Sequence, residues 1–372
     1  MRAVGIILAG GNNEGRLGTL TQKRAAAALP VGSCYRAIDF ALSNMSNSGI
    51  SKVAVLTQYN SRSLRDHLSS SKWWDFGRKQ GGLFVLTPYT TNEGSSWFRG
   101  TADAIYQNMS YLYNSNEPYV VIASGDAVYK GDFRKVIAYH VKKGADITVV
   151  YKNMENNLSS FGILEMDEDH RLTGFEEKPE HPRAHAASIG IYVIGRQLMI
   201  DLLQKMVPNG KYSLVKDIII GMRDELKIYG YECTGYWGTV GRGIDAYFAT
   251  NMDFLKKEVR DEFINQWPYI ATKPKDEPPA KYNAGASVSD SIIGSGSIIN
   301  GTINHSVVFR KVYISEDAVV ENSILMEGCR IGKGCVIRNA ILDKYVKVLD
   351  GKSVIGESSQ NPVVIEKEAT ID

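Results

Sequence analysis

The residues best placed to do chemistry begin where the apolar run 4–8 ends in Ala9-Gly10-Gly11. A strand running into a glycine turn brings backbone N–H groups close to a phosphate. Gly10 and Gly11 are therefore candidate phosphate contacts, and Arg16 and Arg24 add two permanent positive charges. The next positions are the bland run Ala25-Ala26-Ala27-Ala28, where a phosphoryl-transfer site would use a further cation. The turn has neither a Walker lysine–serine ending nor a G-x-G-x-x-G fingerprint, so alone it is a weak signal.

Further candidates lie downstream. Asp126, in Ser124-Gly125-Asp126, ends another apolar run. A carboxylate there can ligate Mg²⁺, which prefers oxygen and shares phosphate oxygens, or it can cap a turn. In Phe98-Arg99-Gly100-Thr101-Ala102-Asp103 the Gly-Thr pair can present N–H groups and a hydroxyl to a ligand, or simply cap a helix. In Phe175-Glu176-Glu177-Lys178-Pro179, Glu177 can accept sugar hydroxyls and Lys178 can pair with a phosphate, or the charges can be solvated. Proline favours an extended preceding residue, so Glu177 and Lys178 are expected on opposite sides. Residues 188–193 read as a strand with Gly190 where a ligand approaches closely, and 237–241 as a turn.

The elements that must position these residues alternate. Runs 4–8, 53–57, 119–123 and 147–151 read as buried strands, and 37–48, 61–68, 102–113 and 132–143 as helices. This pattern predicts an α/β domain over 1–272, Rossmann-like with a mostly parallel sheet, whose ligands sit beyond the carboxyl ends of the strands. Residues 273–284, beginning KPKDEPPAK, read as a linker. Over 285–372 short Ser/Ala-aliphatic cassettes recur, three of them 17 residues apart: Ser306-Val307-Val308, Ser323-Ile324-Leu325 and Ala340-Ile341-Leu342. Aliphatic residues recurring about every six positions, with Gly, Asn or Asp at corners, indicate hexapeptide coils of a parallel β-helix. A β-helix suits self-association.

The formal charge of +2 leaves no global field for nucleic acid or an anionic membrane. The first apolar run ends in a glycine turn rather than a cleavage site, and no stretch approaches the length of a membrane span, so a cytoplasmic protein is expected. Four cysteines without a C-x-x-C pair speak for free thiols. The one histidine after residue 185, His305, sits in a repeat turn, a poor position for an acyltransferase base.

Taken in order, the series LAGG…RL…LT…RA…YR-IDF-LSN, Thr57-Gln58-Tyr59, Trp97 to Asp103, Gly125-Asp126, Glu177-Lys178-Pro179 and Ser188 to Tyr192 resembles glucose-1-phosphate adenylyltransferase, also called ADP-glucose pyrophosphorylase. The resemblance implies a nucleotidyltransferase domain followed by a left-handed β-helix, and the reaction of ATP with glucose 1-phosphate in glycogen synthesis. It implies nucleotide contacts from Leu8, Ala9, Gly10, Gly11, Arg16, Gln58, Trp97, Gly100, Thr101 and Ala102. Gly162, Glu177, Lys178, Ser188 and Gly190 would hold glucose 1-phosphate, and Asp126 would ligate Mg²⁺.

Three departures stand against full activity. The family's R-A-K-P-A has become Arg24-Ala25-Ala26-Ala27-Ala28, so the lysine falls on Ala26. Its W-R-D-V-G has become Trp237-Gly238-Thr239-Val240-Gly241, so the second metal carboxylate falls on Thr239 and the Mg²⁺ site is weakened or lost. The glycine loop has one extra residue and carries Glu14, whose charge would repel a triphosphate. Losing one transition-state charge contact costs on the order of 10²–10³ in rate. The pattern resembles the GlgD-type regulatory subunit, which partners a catalytic GlgC-type subunit in a heterotetramer. ATP, glucose 1-phosphate or ADP-glucose would be its ligands.

Overall fold

A computed structural model describes residues 2–12, 14–77, 81–91, 94–95, 97–155 and 158–372. Asn13 and the side chain of Glu14 lie outside this part, so the lengthened glycine loop is described only by its flanks.

The N-terminal domain is built on a mixed sheet. Its order is Leu172–Glu177, Gly162–Met166, Ala186–Gly195, Tyr119–Ser124, Ala3–Leu8, Lys52–Leu56, Gly82–Leu86. Ile147–Asn153 joins alongside Ala186–Gly195, with Ile228–Glu232 beyond it. Tyr119–Ser124, Ala3–Leu8, Lys52–Leu56 and Gly82–Leu86 are parallel, and their carboxyl ends line up at Ser124, Leu8, Leu56 and Leu86. These strands are almost continuously apolar because helices cover both faces. Ala37–Asn47 and Phe133–Lys143 pack on one side and Thr101–Tyr106, Met109–Tyr113 and Arg196–Met206 on the other. The predicted helix 102–113 is thus broken in two at Gln107-Asn108.

The C-terminal domain is a left-handed parallel β-helix with three sheets. Successive coils start at Lys281, Ile298, Tyr313, Arg330, Lys347 and Thr370. The first coil therefore begins inside the segment expected to be linker, because Lys281–Tyr282 pairs with Ile298–Ile299. Corners carry Asp290, His305, Asn322 and Asn339 in the left-handed region, φ 41° to 48°. Asn and Asp tolerate that conformation, which accounts for the repeating polar corners. His305 occupies one of them and pairs with Asp290 at 2.5 Å, half exposed.

One sheet of the β-helix faces the N-terminal domain. In its strands the alternation of side chains sends Val308, Leu325 and Leu342 into the β-helix interior. Val307, Ile324 and Ile341 go outward, into a core shared with Leu20, Ala26, Leu29, Phe40 and Tyr247. Each such residue contributes about 1.5–3 kcal/mol by leaving water. Arg24, expected near phosphate, belongs to this seam. Its guanidinium donates to both carboxylate oxygens of Asp343 at 2.8 Å, with both side chains buried. Nearby, Glu327 is held by Arg310 and by Lys344 at 2.9 Å. Burial alone would raise its carboxyl, but these cations outweigh that and pull it down to about 2.

All four cysteines are free. Among the described residues no helix is long and apolar enough to cross a membrane.

Candidate functional site

Two adjoining cavities open beyond the carboxyl ends of the parallel strands. The first, of 330 Å³, is lined by Leu8, Ala9, Gly10, Gly11, Gln58, Gly100 and Thr101 together with Ala26 and Ala27. The second, of 470 Å³, is lined by Arg16, Gly162, Glu177, Lys178, Ser188, Trp237, Thr239 and Arg242. Gly11, Thr101, Ser124, Asp126, Gly190 and Tyr192 border both. Of the residues assigned by resemblance to nucleotide, Leu8, Ala9, Gly10, Gly11, Gln58, Gly100 and Thr101 line the first cavity, but Arg16 lines the second, with the residues assigned to sugar phosphate, and Asp126 borders both.

The glycine turn is pinned by its neighbours. Ala9 N–H donates to the Leu56 carbonyl at 2.8 Å, Gly125 N–H to Leu8 at 2.9 Å, and Thr57 Oγ1 to Ala9 at 3.1 Å. Gln58 clamps the facing loop by a two-way bond to the backbone of Phe98. Gly190 sits in a bulge with φ +75°, where the pairing of Ala186–Gly195 with Ile147–Asn153 shifts register. A glycine in that conformation bends the strand and leaves room above Ser124.

Several placements differ from expectation. Trp97 is exposed and stacks on Tyr59 with centroids 5.1 Å apart, but it does not line the cavity. Ala102 is buried beneath it, and its N–H donates to the Tyr212 carbonyl at 2.8 Å, leaving Ala104 at the wall. Thr101 Oγ1 accepts from Leu214 N–H at 2.9 Å, so this helix start is closed by protein groups. Lys178 takes φ +53°, anchored by its N–H on the Phe161 carbonyl at 2.9 Å. That kink turns Lys178 into the same cleft as Glu177, 3.9 Å away, rather than to the opposite side. Burial pushes the Lys178 ammonium pKa down, and Arg16 adds to the fall.

Residues 237–239 form a strand, not a turn: Trp237–Thr239 pairs antiparallel with Ala127–Tyr129, setting Thr239 opposite Ala127. Thr239 is 8% exposed. Its hydroxyl donates to the Asp126 carbonyl at 3.4 Å and accepts from Gly241 N–H at 3.3 Å. Asp126 in turn accepts from the Ser124 hydroxyl. Gly241 lets Asp126 come close, since a Cβ would lie 1.8 Å from Asp126 Oδ2 and push that carboxylate aside. Ala26, in the 3₁₀ turn Ala26–Ala28, presents a methyl to the nucleotide-side cavity.

Sequence reasoning missed Arg242. Its guanidinium lies 3.6 Å from the centroid of Phe161, in the cleft with Glu177 and Asp126. Burial lowers its pKa, while Asp126 opposes the fall. The available signal was its setting between Gly241 and Gly243, two residues that let the chain turn a long side chain inward. A Mg²⁺ ion is normally held by one or two carboxylates and substrate phosphates. The residues here fit it poorly: Asp126 lacks a carboxylate partner at Thr239, the Thr239 hydroxyl is occupied by backbone, and a guanidinium stands within electrostatic reach.

This fold and cleft define a nucleotidyl transferase joined to a hexapeptide domain. Residues 4–257 match the Nucleotidyl transferase family, and residues 278–363 match the GlmU-like, C-terminal hexapeptide family. The chain is 37% identical over 372 residues to Glucose-1-phosphate adenylyltransferase of Bacillus thuringiensis (strain Al Hakam), covering 99% of this chain and 98% of that protein. It is 38% identical over 370 residues to that of Bacillus cytotoxicus, covering 98% of each. The Bacillus anthracis protein of the same name is 37% identical over 372 residues, with 99% and 98% covered. The chain belongs to the glucose-1-phosphate adenylyltransferase family.

Proposed function

We propose that this chain is a subunit of the ADP-glucose-forming enzyme of glycogen synthesis, catalytically impaired alone and regulatory towards a catalytic partner subunit. The observation that carries the reading is the pair of substitutions facing the two cavities. A methyl at Ala26 and a backbone-engaged hydroxyl at Thr239 stand where the family's motif has a cation and a carboxylate.

The family reaction joins a sugar phosphate oxygen to the α-phosphorus of ATP and releases pyrophosphate. Little covalent work falls to the protein; alignment and neutralisation of charge dominate. This chain keeps the alignment half. The glycine turn, which lines the first cavity, would offer N–H groups to the nucleotide phosphates, and Glu177 and Ser188, which line the second, would orient sugar hydroxyls. Asp126, at the junction, borders the point where the two ligands would meet. The neutralising half is depleted, and two losses of about 10²–10³ each would leave little turnover, although groups sharing one site do not add simply.

The test is an assay of the isolated chain with ATP, glucose 1-phosphate and Mg²⁺, beside the same chain mixed with a catalytic homologue. The expected result is turnover at least about 10²-fold below the roughly 10 s⁻¹ typical of enzymes, with co-elution and a changed rate or affinity in the mixture. Ordinary turnover alone would instead mean an active, rearranged site. Failure to co-elute would remove the partner.

A further inference from the structure

Arg242 stands out from the other charges of the sugar-phosphate cleft. Among the described residues it donates no hydrogen bond to the protein, and its contact is the face of Phe161. Phe161 is itself buried and braced edge-on by Trp237, centroids 5.4 Å apart. A guanidinium stacked on a fixed ring is held in one plane with its donors free. Planar donors of this kind suit a phosphate, which they bind through two parallel N–H···O bonds.

The charge balance of the cleft points the same way. Arg16, Lys178 and Arg242 face Asp126 and Glu177. Three cations against two carboxylates leave the cavity net positive with no metal present; without Arg242 it would be neutral. Burial chiefly depresses the Lys178 ammonium, Arg16 and Arg242 add to the fall, and Glu177 opposes it. Meanwhile Thr239 offers a hydroxyl already committed to backbone, so the side facing Asp126 is shaped for a cationic side chain rather than for an ion shared by two carboxylates.

We propose that Arg242 takes the place of the metal, making this cleft a metal-independent receptor for a sugar-linked phosphate. The proposal rests on the reading of the chain as a family member that binds without efficient turnover. Arg242 and Lys178 would hold the phosphate oxygens, with Glu177 and Ser188 accepting from sugar hydroxyls. The phosphate can come from a hexose 1-phosphate or from the sugar end of a nucleotide sugar.

Titration calorimetry of the full chain in EDTA, with glucose 1-phosphate in one arm and ADP-glucose in the other, tests this. The chain should bind at least one of them in EDTA, with affinity changing by less than about threefold, under 1 kcal/mol, when Mg²⁺ is added. The arm that binds identifies the source of the phosphate. Arg242→Gln, which keeps a planar end but no charge, should weaken binding at least about 10-fold. Arg242→Lys, which keeps the charge, should lose less. Circular dichroism checks that both variants fold, and the lysine variant carries the comparison if the glutamine variant does not. Binding that needs Mg²⁺, no binding in either arm, or an Arg242→Gln affinity equal to wild type would overturn the proposal. Turnover measured on the same samples reads the impaired-subunit hypothesis separately, since binding in EDTA does not depend on it.

Discussion

Introducing Ala26→Lys and Thr239→Asp together is expected to raise turnover of ATP and glucose 1-phosphate at least about 10²-fold above the wild-type chain. Both positions already face the right space. Ala26 borders the 330 Å³ cavity, which gives a four-carbon stem room to extend towards the phosphates. The 3₁₀ turn carrying it is closed by backbone bonds, Ala28 N–H to Ala25 and Leu29 N–H to Ala26, both at 2.9 Å, which the substitution leaves alone. Thr239 is fixed by strand pairing beside Asp126. An aspartate there can still accept from Gly241 N–H, so the hydrogen-bond cost stays within about 0.5–1.5 kcal/mol. Neither single replacement should match the pair, because the two groups act on the same developing charge. Adding Arg242→Ala should raise the rate again, as the guanidinium competes with a metal for Asp126. A steady-state assay of single, double and triple variants checks this. If none exceeds wild type, the proposed impairment does not arise at these two positions, and the lengthened glycine loop becomes the next position to test.

The second large effect concerns the seam between the domains. Asp343→Ala should lower the thermal unfolding midpoint by roughly 4–6 °C, reflecting a loss of about 3–5 kcal/mol. The reason is what it leaves behind. Arg24 is 5% exposed and would keep, among the described residues, only Met326 Sδ at 3.5 Å as a side-chain hydrogen-bond partner. Arg24→Met combined with Asp343→Leu should recover most of that loss, since a buried ion pair replaced by apolar groups is often neutral. Calorimetric melting of the two variants decides it. A midpoint for Asp343→Ala within about 2 °C of wild type would mean that water reaches the guanidinium and the pair carries little energy.

The sequence made the frame of the site readable because its signals are local. Leu8 to Gly11 and Ser124 to Asp126 end strands whose runs of Val and Ile are unmistakable, and Gly190 breaks a strand where a bulge was needed. The hexapeptide cassettes were equally plain, since each coil repeats its own alternation. What stayed hidden depends on distant partners. Trp237–Thr239 becomes a strand only because Ala127–Tyr129, more than a hundred positions earlier, offers an edge. Arg24 resembled a phosphate ligand by its nearness to the glycine loop, but its partner Asp343 lies 319 positions on. Lys178 was expected to point away from Glu177, and a bond from its N–H to Phe161 reversed that. Arg242 fell outside every motif, and the pairing of Trp237–Thr239 delivers it to the cleft together with Thr239.

The run of alanines has a consequence of its own. Ala26 and Ala27 form one side of the 330 Å³ cavity, while Ala26 also packs into the core shared with Val307, Ile324 and Ile341. Two residues earlier, Arg24 is bolted to Asp343 in the β-helix. The strip is a partition with a tenant on each side, one methyl thick at its thinnest. Crowding it from the cavity is therefore expected to strain the docking of the β-helix, and shifting the β-helix to reshape the cavity. By reciprocity, any such coupling would alter the free energy of both events by the same amount. Small side chains make that partition thin, so the alanines bring its two neighbours within touch.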